Sequence, residues 1–183
     1  MSVRVPKPGK TGLQTPEIRL RRPRAADALA MHRVAEATEV LDLNSTYAYL
    51  LWATDFADTS IVADADGELV GFITGHRPPP RPDVLFVWQV AVDPSAQGRG
   101  LGSQMLDGLL ARVLADRRGQ PVTVEATVAP GNAHSRALFG GFARRLRVPL
   151  VEHEHFTADL LAADGGHEDE PILRIGPIAE PPN

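Results

Sequence analysis

The sequence predicts an α+β fold of the three-layer α/β kind, a central sheet flanked by helices. Three observations predict it. Val84–Val92 is almost entirely apolar and rich in β-branched and aromatic side chains, which suits a strand buried on both faces. Gly98, Gly100 and Gly102 follow it and merge into Leu101, Met105, Leu109 and Val113 at helical spacing, so a tight turn feeds a helix. Upstream, Asp66-Gly67 separates two strand-like segments, because glycine accepts the positive φ of a two-residue hairpin.

In chain order, Ile18-Arg19-Leu20-Arg21 alternates as a first strand and Pro23 breaks it. From Asp27, apolar residues at helical spacing (Ala28, Leu29, Met31, Val34, Ala35) read as a helix on which His32 is a bystander. Val40-Leu41-Asp42-Leu43-Asn44-Ser45 interrupts it, and Asn44 or Ser45 caps a second helix over residues 46–55. Tyr47, Tyr49, Leu50, Leu51 and Trp52 make that helix unusually apolar, as core packing or as a substrate wall with Asp42 at its base. Residues 60–64 and Glu68–His76 form the hairpin, and the proline-rich residues 77–83 a loop. The glycine-led helix ends near Arg117-Arg118-Gly119, with Gly119 as C-cap. Residues 122–128 form the next strand, Val122, Val124, Ala126 and Val128 on one face and Thr123, Glu125 and Thr127 on the other. A carboxylate there lies on a solvated face or faces a cleft. Asn132 caps a helix through about Phe142, and residues 172–175 make a last strand.

Composition bounds the class. At 183 residues the chain suits one domain with a sizeable core, expected at residues 16–177 between a flexible tail at 1–15 and a short tail at 178–183. A net charge of −4 offers no basic footprint for nucleic acid. No apolar run is long enough to span a bilayer, and the polar N-terminal residues lack a signal-peptide core, so a cytoplasmic protein is expected. With no cysteine, disulfides, thiolate metal sites and a cysteine acyl-enzyme are excluded, and no Gly-x-Ser-x-Gly elbow is present. His153 and His155 share a strand face and are a candidate metal pair, but without a clear third ligand no metal is expected.

The glycine turn carries the chemistry. Unpaired N–H groups at a helix start attract phosphate oxygens, which makes the turn a candidate pyrophosphate cradle. A dinucleotide fingerprint fits poorly, because position 103 is Ser and a Pro intervenes after the strand; a P-loop fails for want of Lys-Ser/Thr. Gln97-Gly98-Arg99-Gly100-Leu101-Gly102 resembles the acetyl-CoA loop of the GNAT acetyltransferases, Gln/Arg-x-x-Gly-x-Gly/Ala, and the order of elements over residues 15–177 is similar to theirs. The resemblance implies a mixed central β-sheet with acetyl-CoA in the wedge between two splayed strands. It implies that backbone groups of Val90 and Val92 hold the pantetheine and that Gln97, Gly98, Arg99, Gly100 and Gly102 hold the pyrophosphate. Asn132 sits where the family often has an Asn near the pantetheine. Seven residues on, many members have a Tyr that protonates the leaving thiolate; here Phe139 stands there, leaving Tyr47, Tyr49 or water as the acid.

Further segments, Val40 to Ser45, Asp55-Phe56-Ala57-Asp58-Thr59-Ser60, Phe86 to Pro94, Glu125-Ala126-Thr127 and His167-Glu168-Asp169-Glu170 with Arg174-Ile175, resemble the branch of that family that acetylates L-2,4-diaminobutyrate in ectoine synthesis. That branch implies a homodimer. The chemistry is coherent with these residues. An aliphatic amine, with a pKa of about 10.4, must lose its proton before it attacks a thioester. Glu125 is the candidate base. Asp42 and Glu125 are candidates for the cationic end of a diamino acid; Trp88, Gln89, Thr127 and His155 are candidate donors to its carboxylate, with Tyr49 a further substrate-binding candidate. Two readings compete with it: a family member acting on another amine, such as a polyamine, an aminoglycoside or a protein N-terminus, and an acyl-CoA-binding module without turnover.

Overall fold

The computed structural model describes residues 17–161 and 168–181. The tail expected at 1–15 and His167 lie outside the described residues. A seven-stranded sheet runs β1 (Ile18–Arg21), β2 (Ile61–Ala65), β3 (Glu68–His76), β4 (Val84–Val92), β5 (Val122–Thr127), β7 (Glu170–Ile178) and β6 (Leu150–Phe156). Every neighbouring pair is antiparallel except β4 and β5, which are parallel, so the sheet is mixed.

Helices cover both faces and give two separate cores. On one face, α1 (Ala28–Thr38) and α2 (Thr46–Ala53) bury Met31, Val34, Tyr49 and Ala53 against Val62, Phe72 and Ala91. On the other, α3 (Leu101–Asp116) and α4 (Ala133–Leu146) pack Met105, Leu109, Phe139 and Phe142 on Leu85, Val87 and Val124. The caps follow the local chemistry: the Ala48 N–H donates to Ser45 Oγ at 3.2 Å, and the Ser135 N–H donates to Asn132 Oδ1 at 3.0 Å. Asp66 and Gly67 both take positive φ, 53° and 96°, as a two-residue hairpin turn of this hand requires.

Three elements depart from the sequence reading. Helix α4 continues to Leu146, where Arg144 and Arg145 occupy the last turn and suit the negative end of the helix dipole. Strand β7 extends over Glu170–Ile178, with Pro171 and Pro177 near its ends hiding its length. Strand β6 is an exposed edge with no apolar face, so alternation gives little sign of it. A fourth finding concerns β5: Thr123 and Glu125 are only 7% and 1% exposed, so its polar face is buried, not solvated.

Candidate active site

The parallel contact between β4 and β5 is short. Val84, Leu85 and Phe86 face Thr123, Val124 and Glu125, and the pairing stops there. Beyond that point β5 stays in register with β7 through Thr127 and Ile172, while β4 stays with β3. The strands therefore part. A cavity of about 330 Å³ fills the gap, with Trp88 and Val90 on one wall and Thr127 and Ala129 on the other. Asn132, Ser135 and Phe139 of α4 close one side, and the loop between α1 and α2 contributes Asp42 and Asn44.

A bulge marks the same place in β4. Gly75 faces Val87 and Thr74 faces Gln89, so Trp88 is an extra residue without a partner on β3. A bulge bends its strand and re-aims a side chain. Gly75 makes it fit: a Cβ there would lie 2.8 Å from the Phe86 carbonyl oxygen and 2.9 Å from that of Thr59. The sequence reading has β4 buried on both faces; Trp88 corrects it, being 42% exposed and directed to the cavity.

Past the bulge, β4 prepares the other end of the wedge. The Asp93 N–H donates to the Val70 carbonyl at 2.9 Å, and by the alternation of an antiparallel ladder Ala91 also faces β3. The peptide groups of Val90 and Val92 then face away from β3, on the side where β5 has gone. Gln97 Nε2 donates to the Val92 carbonyl at 3.0 Å and fixes the turn that follows. Gly98 and Gly100 have φ of 75° and 71°, and Gly100 begins α3 with no side-chain cap, leaving the first N–H groups of a sixteen-residue helix for a ligand. Nothing in the fold demands glycine at 102, where a Cβ would meet Leu138 at 3.8 Å and Val90 at 3.9 Å, both ordinary contacts. A bare backbone at all three glycines is what the close approach of a pyrophosphate needs. These residues fit acetyl-CoA.

At the acceptor end, Gln89 is 5% exposed and joins three elements. Its Nε2 donates to the Asp42 carbonyl at 3.0 Å, and its Oε1 accepts from the Tyr49 hydroxyl at 3.3 Å. Tyr49 is fully buried, does not line the cavity, and holds Gln89 from beneath; burial pushes its phenol above the ordinary value, against the pull of hydrogen bonds at Asn44 and Gln89. Tyr47 is 70% exposed and also lies off the cavity.

The structure brings Asp42, Trp88, Gln89, Val90, Thr127 and Asn132 together. Of the expected acceptor-end residues it keeps three off the cavity: Tyr49, described above, Glu125 and His155. Glu125 sits at the last paired position, where both carboxylate oxygens accept from Arg81 Nη1 at 2.8 and 2.6 Å and Arg174 Nε lies 3.6 Å away. It does not line the cavity, which corrects the expectation of a carboxylate facing the cleft. His155 lines a second cavity of about 310 Å³ with Glu154, Phe156 and Asp169. Among the described residues no three His, Cys, Asp or Glu side chains gather as a metal site, and no helix is long and apolar enough to cross a membrane. Glu170 was missed. It opens β7, lines the same cavity as Asp42, and makes no ion pair among the described residues. Its sequence signal is its place in His167-Glu168-Asp169-Glu170, a segment that carries the resemblance to the diaminobutyrate branch but in which no residue is singled out for the site.

Comparison with known proteins agrees with this geometry. Residues 27–142 match the model of the acetyltransferase (GNAT) family. The chain is 48% identical over 164 residues to an L-2,4-diaminobutyric acid acetyltransferase of Streptomyces coelicolor, covering 89% of this chain and 95% of that one. It is 44% identical over 156 residues to one of Virgibacillus pantothenticus, covering 85% and 96%. Among solved structures, the diaminobutyrate acetyltransferase EctA of Paenibacillus lautus, in complex with its substrate L-2,4-diaminobutyric acid and coenzyme A, superposes with a TM-score of 0.80 at 39% identity, covering 88% of this chain and 96% of that chain. Ard1 of Thermoplasma volcanium, 16% identical with a TM-score of 0.69 over 89% and 99%, shares the fold. With a wedge between parting parallel strands, a bare glycine turn beyond it and a family match spanning most of the domain, this chain belongs to the acetyltransferase (GNAT) family.

Proposed function

We propose that this protein transfers the acetyl group of acetyl-CoA to the γ-amine of L-2,4-diaminobutyrate, a step of ectoine synthesis in the cytoplasm, and that it works as a homodimer. The observation that carries the substrate is the likeness to enzymes of that name along nearly their whole length, beyond the bounds of the general family match. The cavity is consistent with it. Two carboxylates, Asp42 and Glu170, line a space of about 330 Å³, which suits a small molecule carrying two amines.

Acetyl-CoA supplies an acetyl group on a thioester. The chain's own residues then have four tasks. The turn of Gln97, Gly98, Arg99, Gly100 and Gly102 binds phosphate through backbone N–H groups, and the outward peptide groups of Val90 and Val92, with the Asn132 amide, hold the pantetheine. The Val90 N–H, fixed by the ladder, donates to the thioester oxygen as negative charge develops there. Asp42 pairs with the α-ammonium that does not react. Glu170 takes the proton of the γ-ammonium, since Glu125 is occupied by Arg81. The neutral γ-nitrogen adds to the thioester carbon, the C–S bond breaks as the adduct collapses, and the second proton leaves the nitrogen and is relayed to the sulfur. Phe139 lines the cavity and has no proton to give, so the leaving thiolate is protonated through water or the hydroxyls of Thr127 or Ser135.

The test is thiol release from acetyl-CoA across a panel of amines. Diaminobutyrate should be turned over with a kcat/KM well above those of a polyamine, an aminoglycoside and an N-terminal peptide. Preference for any of those three refutes the substrate, and acetyl-CoA binding without thiol release refutes turnover.

A further inference from the structure

We infer that Trp52 of α2 is a positioning residue: it holds the Trp88 indole against the acceptor end of the wedge, so that diaminobutyrate affinity depends on a side chain that does not line the cavity. This rests on the substrate reading above.

Trp88 is the extra residue of the β4 bulge, so no cross-strand partner fixes its direction. It is 42% exposed and lines the cavity. A half-exposed indole on unpaired backbone keeps its direction only if other side chains pack on it. The Trp52 ring does so, its centroid 4.9 Å from that of Trp88 at 43°. Trp52 is itself braced by Phe56 at 4.7 Å and His76 at 6.1 Å, and His76 lies 5.2 Å from Phe86. The brace thus ends on Phe86, the last residue of β4 that still pairs with β5.

The same helix grips the neighbouring residue. Tyr49 and Trp52 are three apart on α2 and share a face. Tyr49 donates to Gln89, and Trp52 stacks on Trp88. Two successive residues of the bulge are therefore set by two residues one helical turn apart.

The chain has two tryptophans, so each can be observed alone. Trp52→Phe and Trp52→Ala both leave Trp88 as the sole tryptophan. The first keeps an aromatic ring beside it and the second removes it. Loss of one aromatic pair predicts a rise in diaminobutyrate KM of about two- to tenfold in Trp52→Ala, with kcat and the acetyl-CoA KM close to wild type. Trp52→Phe should restore most of the affinity. Time-resolved anisotropy should show Trp88 held in Trp52→Phe and freer in Trp52→Ala. Leu51→Ala controls for general loosening of α2 and should leave diaminobutyrate KM unchanged. The inference is overturned if Trp52→Ala binds diaminobutyrate as wild type does, if Leu51→Ala raises KM as much, or if Trp88 moves equally in both tryptophan variants. If Trp52→Ala does not fold, the comparison of Trp52→Phe with Trp52→Leu decides it in the same way. Failure of the wild type to acetylate diaminobutyrate would remove the substrate reading, while the anisotropy comparison would still show whether Trp52 holds Trp88.

Discussion

The two ends of the β4–β5 contact are built from the same pair of strands and do opposite things. At the closed end, Phe86 faces Glu125, the backbones pair, and the carboxylate is buried with Arg81 upon it. At the open end, a few residues on, the backbones have parted and Trp88, Val90 and Thr127 face a cavity. Glu125 is buried and Arg81 half-exposed, so the pair adds little net stability, but removing the arginine leaves a buried carboxylate short of its counter-charge. The comparison separates two carboxylates by place: Glu125 is buried under Arg81 where the strands still pair, and Glu170, the base in our proposal, lines the space that their separation makes.

The closed end gives the largest effect on stability. Arg81→Ala would leave the buried Glu125 with Arg174 as its nearest cation, and should cost about 1–3 kcal/mol of stability, less than a fully buried pair because Arg81 is itself half-exposed, read as a fall in Tm and in the denaturant midpoint. Adding Glu125→Gln should recover part of that loss, because the amide carries no unpaired charge. Glu125→Gln alone should keep kcat within a few-fold of wild type. A fall of about 10²-fold or more, with an altered low-pH limb, would return the role of base to Glu125 and collapse the distinction between the two ends.

The open end should respond in affinity. Asp42→Asn removes a charge-assisted pairing worth about 1.5–3 kcal/mol, so diaminobutyrate KM should rise about tenfold or more while acetyl-CoA KM holds. Equal constants in mutant and wild type would make Asp42 a loop anchor, acting only through the carbonyl that accepts from Gln89.

Legibility in the sequence follows the same divide. Elements whose signal is local were readable: the apolar run of β4, the Asp66-Gly67 hairpin, the Ser45 and Asn132 caps, and the glycine turn. The facing of Glu125 was not. Alternation places it opposite Val124 and Ala126, but whether that face is solvated, open or paired depends on Arg81, 44 positions away, and on Arg174 of β7. The bulge at Trp88 was equally invisible, because it consists in a register between two strands. Tyr49 is expected from the sequence to bind substrate, whereas it is fully buried, off the cavity, and reaches the acceptor end only through Gln89, which is a tertiary fact.

A smaller effect separates fold from ligand at the cradle. Gly102→Ala places a methyl group where the fold has room, 3.8 Å from Leu138, and alanine favours helix over glycine by up to about 1 kcal/mol. The unliganded protein should hold or gain stability while acetyl-CoA KM rises. A variant that binds acetyl-CoA as tightly as wild type would show that the backbone at 102 is not approached closely.

The smallest effect returns to the closed end and reads its dryness through His76, which faces Phe86 across β3 and β4. Its Nδ1 is buried with no hydrogen-bond partner, among Trp52, Phe56 and Phe86. Burial first, and then the positive charge of Arg81, hold its imidazole below the usual histidine range. The sign follows from linkage. The unfolded chain protonates this histidine at about 6.5, whereas the folded chain resists protonation until lower pH, so the unfolded state binds more protons in between. The stability His76 contributes is therefore complete above its unfolded value and is lost as pH falls below it. His76→Phe keeps an aromatic ring in the cluster and removes the titration. Between about pH 7.5 and about pH 5.5, wild type should lose more stability than His76→Phe, and the groups common to both proteins cancel in the difference. Identical slopes would mean that water reaches the imidazole and that the closed end is not sealed.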